Sequence, residues 1–212
     1  MSRFVLLDRD GVINRRVRGG YVASWTEFVF LPGVLDALRL LSENKFHSLV
    51  VSNQACVGKG LISMAELEDI TRHFIKEVTE SGGCIHGVYY CPHREEDKCG
   101  CRKPKPGLLL KARRRHGFDF AKTFLIGDSE TDLLAAYRVG CPSLLIGDRV
   151  SGELQDLPHR PVTVFPSLLE AAQFLVSGGV QSAAGFGNMQ RKKPTTAGKP
   201  ILSTTGGQHG PL

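Results

Sequence analysis

The sequence predicts a single α/β domain, a Rossmann-like parallel sheet with helices on both faces, and three observations carry that expectation. Strand-like apolar runs alternate with helical patterns along most of the 212-residue chain. The first run is apolar without interruption, as a strand covered on both faces requires. It then stops at two aspartates and a glycine, and in sheets of this kind ligands gather beyond the carboxyl ends of the strands.

The elements follow in order. Residues 4–7, FVLL, form the first strand and run into Asp8, Asp10 and Gly11. Further strands are expected over 47–52, 85–90, 123–126, 143–146 and 162–165, with helices over 34–44, 63–80, 105–116, 130–139 and 166–176. Pro106 suits the first turn of the third helix, where its missing N–H costs nothing. No run of elements is left over for a large cap domain, so residues 1–177 are expected to form one domain with only loop-type insertions.

Composition limits the function classes. Hydrophobic content of 42% fits a globular domain, and no apolar stretch approaches the roughly 18 residues that cross a bilayer. The N-terminal apolar run is too short, and too soon interrupted by Asp8, for a secretory signal. Six cysteines without such a signal imply reduced thiols or metal ligation in a reducing compartment, with the cytoplasm as the default. The net charge of +6 invites a nucleic-acid partner, but its position argues otherwise. From Ser177 onward there is no acidic residue, while Arg191, Lys192, Lys193 and Lys199 are basic; without them 23 basic residues face 21 acidic ones. The Gly/Ser/Thr-rich stretch 178–212 reads as a disordered basic tail, solvated or acting as a binding arm.

Three strand ends and one loop carry polar chemistry. Asp8 and Asp10, two residues apart on an extended chain, would point the same way, and two carboxylates so close call for a cation. The second strand ends in Ser52, Asn53 and Gln54; the fourth ends in Gly127-Asp128, with Asp132 one helical turn on. Arg102 and Lys103 precede the third helix. Carboxylates, hydroxyl and cation at one sheet edge suit phosphoryl transfer, which needs positive charge to let an anionic nucleophile approach phosphorus. Mg²⁺ held by Asp8 and Asp128, with Lys103 and Ser52, would supply it.

The motif order DRDGVIN, VVSNQ, CRKPKPG, LIGDSETD resembles the haloacid dehalogenase superfamily of phosphatases. Within it, the chain is similar to the small-cap branch of heptose-bisphosphate phosphatases and histidinol-phosphatases. The resemblance implies Asp8 as nucleophile, Asp10 as general acid and base, and Ser52 and Lys103 as holders of the phosphoryl group. It implies Asp8, the Asp10 carbonyl and Asp128 around Mg²⁺, and substrate contacts from Arg18, Gly19, Gly20, Tyr21, Ser52, Asn53, Gln54, Ala55, Arg102, Lys103 and Ser129. Ser129 stands where the resemblance would often place a lysine, and the loop Arg15-Arg16-Val17-Arg18 is slightly longer than the branch pattern. Its arginines could meet an anionic substrate or only solvent. The implied substrate is a small phosphorylated sugar, a heptose bisphosphate losing its C7 phosphate, with histidinol phosphate as the alternative and a monomeric enzyme as the leaning.

Cys91, His93, Cys99 and Cys101 lie within eleven residues, as C-x-H-x₅-C-x-C. Three thiols and an imidazole can close a tetrahedral Zn²⁺ site with no open position, which makes such a zinc structural. The spacing differs from the common C-x-x-C knuckle, so free clustered thiols are the other reading. Arg94, Glu95, Glu96, Asp97 and Lys98 make the loop too polar to order itself around a core, and a metal would supply that order and aim Arg102 and Lys103. Cys56, Cys84 and Cys141 are expected as buried small hydrophobes. A zinc-bearing nucleic-acid binder remains the reading from a different class.

Overall fold

The structure, a computed structural model, describes residues 3–147 and 159–178. The expected basic tail over 178–212 lies outside the described residues, apart from Gly178. Strands β1 (Arg3–Leu7), β2 (Phe46–Asn53), β3 (Ile85–Cys91), β4 (Phe124–Gly127), β5 (Ser143–Ile146) and β6 (Thr163–Phe165) form one sheet. Its order is β3-β2-β1-β4-β5-β6 and every pairing is parallel. The chain winds outward from β1 to β3 and then, on the other side of β1, from β4 to β6. A crevice therefore opens between β1 and β4, where the winding direction reverses, and doubly wound sheets bind ligands there.

Among the described residues six helices flank the sheet: α1 (Val34–Glu43), α2 (Ala55–Gly58), α3 (Met64–Glu80), α4 (Gly107–His116), α5 (Glu130–Tyr137) and α6 (Leu168–Val176). Alternation along the strands divides the core in two. Val5, Leu7, Val50, Phe124 and Ile126 pack under α1, α3 and α6, whereas Leu6, Leu49, Val51 and Leu125 pack under α4 and α5. Both faces are buried, which is why β1 after the exposed Arg3, and all of β4, carry no polar side chain before their ends. Among the described residues no helix is long and apolar enough to cross a membrane.

Element boundaries moved for identifiable reasons. Ser63 is the N-cap of α3 rather than its first residue: its Oγ accepts from the Glu66 N–H at 3.2 Å, and Glu66 Oε2 accepts from the Ser63 N–H at 2.7 Å. Pro106 caps α4, which starts at Gly107, instead of standing in its first turn. A Cβ on Gly107 would lie 2.3 Å from the carbonyl oxygen of Gly100, so the helix start is pressed against the preceding loop. Short 3₁₀ turns at Trp25–Glu27 and Phe120–Lys122, and the single turn of α2, have no periodicity to announce them. Cys56 and Cys141 are buried as expected, but Cys84 is exposed, because it stands in the turn before β3 rather than on a core face.

The insertion between β1 and α1 rests on an aromatic stack. Trp25 lies on Phe28, with ring centroids 5.2 Å apart, and Phe28 lies parallel to Phe74 of α3 at 5.6 Å. Phe74 is fully buried. Phe74→Ala should cost about 3–5 kcal/mol through lost burial and the cavity left behind. Urea denaturation followed by circular dichroism measures this; a loss under 1 kcal/mol would mean that the stack does not anchor the insertion.

Candidate active site and metal centre

The site forms where β1 ends. Asp8 follows Leu7 directly, and its N–H donates to the Ile126 carbonyl of β4 at 2.9 Å, which ties it to the neighbouring strand. The chain then turns at once: the N–H groups of Ile13 and Asn14 donate to the Arg9 carbonyl at 2.8 and 3.0 Å, and Gly11 N–H donates to the Asn14 carbonyl at 2.7 Å. Gly11 is required here. Its φ is +93°, and a Cβ would lie 1.9 Å from Asp128 Oδ2.

Asp10 lies past the end of β1, so this turn and not the i, i+2 alternation of a strand sets its direction, and its carboxylate still lies near enough to Asp8 to raise that carboxyl. The carboxylates take separate partners. Asp8 Oδ1 stands 2.9 Å from Lys103 Nζ, with no better-aligned donor. Asp10 accepts from Arg9 Nη2 at 3.0 and 3.1 Å, from Asn14 Nδ2 at 2.8 Å and from Gln54 Nε2 at 2.7 Å. The carboxylates that do gather with Asp8 are Asp128 and Asp132; one oxygen from each lies within 4.8 Å of the others.

Electrostatics differ accordingly. Burial raises the Asp8 carboxyl above its ordinary value; Lys103 opposes the rise and Asp132 adds to it. Burial would also raise Asp10, but Arg9, Asn14 and Gln54 together outweigh it, and the carboxyl stays below the ordinary range. Asp128 is pushed up to about 7 by burial, while the Arg16 guanidinium pulls it down and Asp8 and Asp132 push it further up. Lys103 is 2% exposed; burial alone would lower its pKa, but Asp132 and Asp8 raise it above the ordinary lysine value, so it is fully protonated at neutral pH.

Lys103 is held from every side. Its Nζ donates to the Val51 carbonyl at 2.8 Å and to Asp132 Oδ1 at 2.5 Å. Its backbone N–H donates to Asn53 Oδ1 at 2.9 Å, and Asn53 Nδ2 returns a bond to the Lys103 carbonyl at 3.0 Å. Asp132 is positioned by the start of α5, where Ser129 N–H and Oγ donate to its Oδ2 at 3.3 and 2.5 Å. Ser129 is thus the helix cap, with its hydroxyl turned to Asp132.

The remaining expected residues divide. Ser52 is buried at the end of β2 and its Oγ accepts from Gln54 Nε2 at 3.1 Å; Ala55 is buried at the start of α2. Arg18, Gly19 and Gly20 are exposed on the loop and make no hydrogen bond or ion pair with these carboxylates. Tyr21 carries the Lys59 ammonium over its ring at 5.2 Å. Arg102 turns toward the cysteine loop, with Nη1 3.5 Å from the His93 carbonyl. Sequence reasoning missed Arg9, whose guanidinium is fully buried between the rings of Phe28 and Tyr90, at 5.9 and 5.8 Å. A cation between two motif aspartates was the available signal. It also left open whether Arg16 meets solvent or a ligand; Arg16 Nη2 donates to Asp128 Oδ1 at 2.6 Å.

Three observations fit a divalent cation among Asp8, Asp128 and the Asp10 carbonyl. The carboxylate oxygens converge, Asp8 Oδ1 is buried without an aligned donor, and a side-chain cation already lies on Asp128 and the Asp10 carbonyl.

The second cluster lies at the end of β3. Cys91, Cys99 and Cys101 are free thiols whose sulfurs are 3.3 to 3.6 Å apart, with His93 Nδ1 3.6 Å from Cys91 and 3.3 Å from Cys101. A tetrahedral zinc with its usual bond lengths would separate such ligand atoms by about 3.5–3.8 Å. The four atoms are close to that arrangement already. The loop is laced to the active site: Gln54 N–H donates to the Cys91 carbonyl at 2.7 Å, and Lys105 Nζ bonds the carbonyls of Lys98 and Cys99 at 2.8 and 2.6 Å.

Known proteins place this geometry in a family. A family model described as "HAD-hyrolase-like" matches residues 100–171. A D-glycero-alpha-D-manno-heptose-1,7-bisphosphate 7-phosphatase of Mycobacterium bovis is 42% identical over 158 residues, covering 72% of this chain and 83% of the relative. A D-glycero-beta-D-manno-heptose-1,7-bisphosphate 7-phosphatase of Neisseria meningitidis is 33% identical over 179 residues, covering 82% and 95%. Among solved structures, a D,D-heptose 1,7-bisphosphate phosphatase from B. bronchiseptica, complexed with magnesium and phosphate, has a TM-score of 0.77 and 32% identity, covering 82% of this chain and 98% of that one. With the sheet order, the strand-end aspartates and these relatives in agreement, the chain belongs to the haloacid-dehalogenase-like heptose-bisphosphatase family and is a phosphatase.

Proposed function

We propose that this phosphatase removes the C7 phosphate of D-glycero-D-manno-heptose 1,7-bisphosphate through an aspartyl-phosphate on Asp8. The observation that carries the mechanism is the division of two carboxylates between two cations, Asp8 on Lys103 and Asp10 on Arg9. In this reading the first attacks and the second manages protons. An Asp8 oxygen attacks phosphorus in line, forming the O–P bond as the bond to the sugar oxygen breaks. The ammonium of Lys103 and the hydroxyl of Ser52 hold the phosphoryl oxygens.

Asp10 donates its proton to the departing alkoxide, then, as a carboxylate, takes one from the water that attacks the aspartyl-phosphate, releasing phosphate and freeing Asp8. The Arg9, Asn14 and Gln54 donors favour the carboxylate form, which suits the second half-reaction. A phosphate dianion arriving beside Asp10 raises its pKa by like-charge repulsion, which suits the first. Asp8, Asp128 and the Asp10 carbonyl would hold Mg²⁺, whose charge neutralises the phosphoryl oxygens when bound. Cys91, His93, Cys99 and Cys101 would hold a structural Zn²⁺, and the bonds of Gln54 to Cys91 and of Lys103 to Asn53 carry its order into the site.

The α anomer is the preferred substrate in this reading. Relatives named for it share 41–42% identity with this chain, and relatives named for the β anomer, such as those of Neisseria meningitidis, Helicobacter pylori and Pseudomonas aeruginosa, share 33–37%. Comparing kcat/KM on the α and β heptose bisphosphates and on L-histidinol phosphate tests this. The α heptose is expected highest, and a higher value for histidinol phosphate would overturn the assignment.

Asp8→Asn should lower kcat by at least roughly 10³-fold, and Asp10→Asn by about 10² to 10⁴-fold, in folded protein. Burst kinetics with acid-quenched samples should show phosphate covalently on wild-type chain and none on Asp8→Asn. Phosphate release that survives Asp8→Asn undiminished would rule out the covalent route.

Elemental analysis should find one zinc per chain. Stripping it with a strong chelator, or replacing Cys101 by Ser, should lower the melting temperature and reduce activity together, with zinc restoring both in the stripped wild type. Metal-free protein of unchanged melting temperature would leave the cluster as plain thiols.

A further inference from the structure

Arg16 stands apart from the other arginines of its loop. Arg15 and Arg18 point to solvent, whereas a single nitrogen of Arg16, Nη2, lies 2.6 Å from Asp128 Oδ1 and 3.3 Å from the Asp10 carbonyl oxygen. Those are two of the oxygens that the proposed mechanism assigns to Mg²⁺. A guanidinium and a divalent cation compete for the same lone pairs and repel each other at this range, since Mg²⁺ requires its oxygens at about 2.0–2.1 Å.

The two cations that face the acidic cluster differ in how firmly they are held. Lys103 is 2% exposed and bound to Val51, Asp8 and Asp132, so its departure would strand two buried carboxylates. Arg16 has a side chain 51% exposed and reaches in from the loop between β1 and α1. Rotation about its own side-chain bonds carries it into water. The backbone need not move: Arg15 N–H stays on the Val29 carbonyl at 2.8 Å, and Asn14 bridges Phe30.

We propose that Arg16 is a tethered counter-cation that occupies the metal position of the metal-free chain, is displaced by Mg²⁺, and thereby sets the affinity for that metal. The proposal rests on the assignment of Asp128 and the Asp10 carbonyl to Mg²⁺. Without metal, Arg16 offsets the repulsion among Asp8, Asp128 and Asp132 that Lys103 alone leaves uncompensated, and keeps Asp128 aimed at the site. With metal, it is freed at the mouth of the crevice. Because the ion pair is half-exposed, its competition amounts to a modest factor.

Isothermal titration of the full chain with MgCl₂ tests this without reference to turnover. Arg16→Gln and Arg16→Ala should each bind Mg²⁺ about two- to tenfold more tightly than wild type, and each should melt at a lower temperature than wild type in a metal chelator. Asp128→Asn should abolish measurable Mg²⁺ binding, and adding Arg16→Gln to it should change nothing further. Unchanged or weaker Mg²⁺ binding by both Arg16 variants, with Asp128→Asn still abolishing it, would overturn the role of Arg16 and leave the metal assignment standing. Undiminished Mg²⁺ binding by Asp128→Asn would overturn the metal assignment itself, and with it the proposal.

Discussion

The buried ammonium of Lys103 is the contact on which the rest of the site depends. Three carboxylates converge beyond the ends of β1 and β4, two of them almost without solvent, and their mutual repulsion in a medium of low dielectric would splay them apart. Lys103 lies 2.9 Å from one and 2.5 Å from another, and it raises its own pKa in doing so. Breaking such a pair by removing one partner typically costs about 3–5 kcal/mol, because the other charge stays buried and unmatched. Four parts of the fold therefore meet at one atom: the end of β1, the carbonyl of Val51 in β2, the start of α5, and the segment that follows the cysteine loop.

That last connection explains why a polar loop beyond β3 bears on chemistry beyond β1. Lys103 follows Cys101 by two residues, and its backbone is clamped in both directions by Asn53. A shift in the loop would move the ammonium along with it. Reacting groups tolerate displacements of well under an ångström, so order in this loop is a condition of the site and not an ornament of its surface.

Arg9 plays the matching part for the second carboxylate. It is fully buried, and its charge is answered by Asp10 and by the faces of Phe28 and Tyr90. The aromatic stack of the first insertion thus supports more than the fold, since it forms the floor on which the cation under Asp10 lies. Two aspartates two residues apart come to serve different ends because one cation arrives from beyond β3 and the other from within the motif.

Much of this was legible in the chain itself. The alternation of apolar runs with helical patterns announced six strands and every helix but the single turn of α2, because such patterns are local properties. The polar ends of β1, β2 and β4 announced a site, because an apolar strand can afford polar residues only where it leaves the core. Cys91, His93, Cys99 and Cys101 announced a cluster, because all four lie within eleven residues and need no long-range fold to meet. What only the tertiary structure decided is which charge faces which. Lys103 meets Asp132 across 29 residues and Asp8 across 95, Arg16 meets Asp128 across 112, and the turn after Leu7 sends Asp10 to Gln54 rather than to the carboxylates around Asp8. A side-chain charge selects its partner by distance and by the dielectric around it, and both are set by how the whole sheet packs, so no local pattern records them.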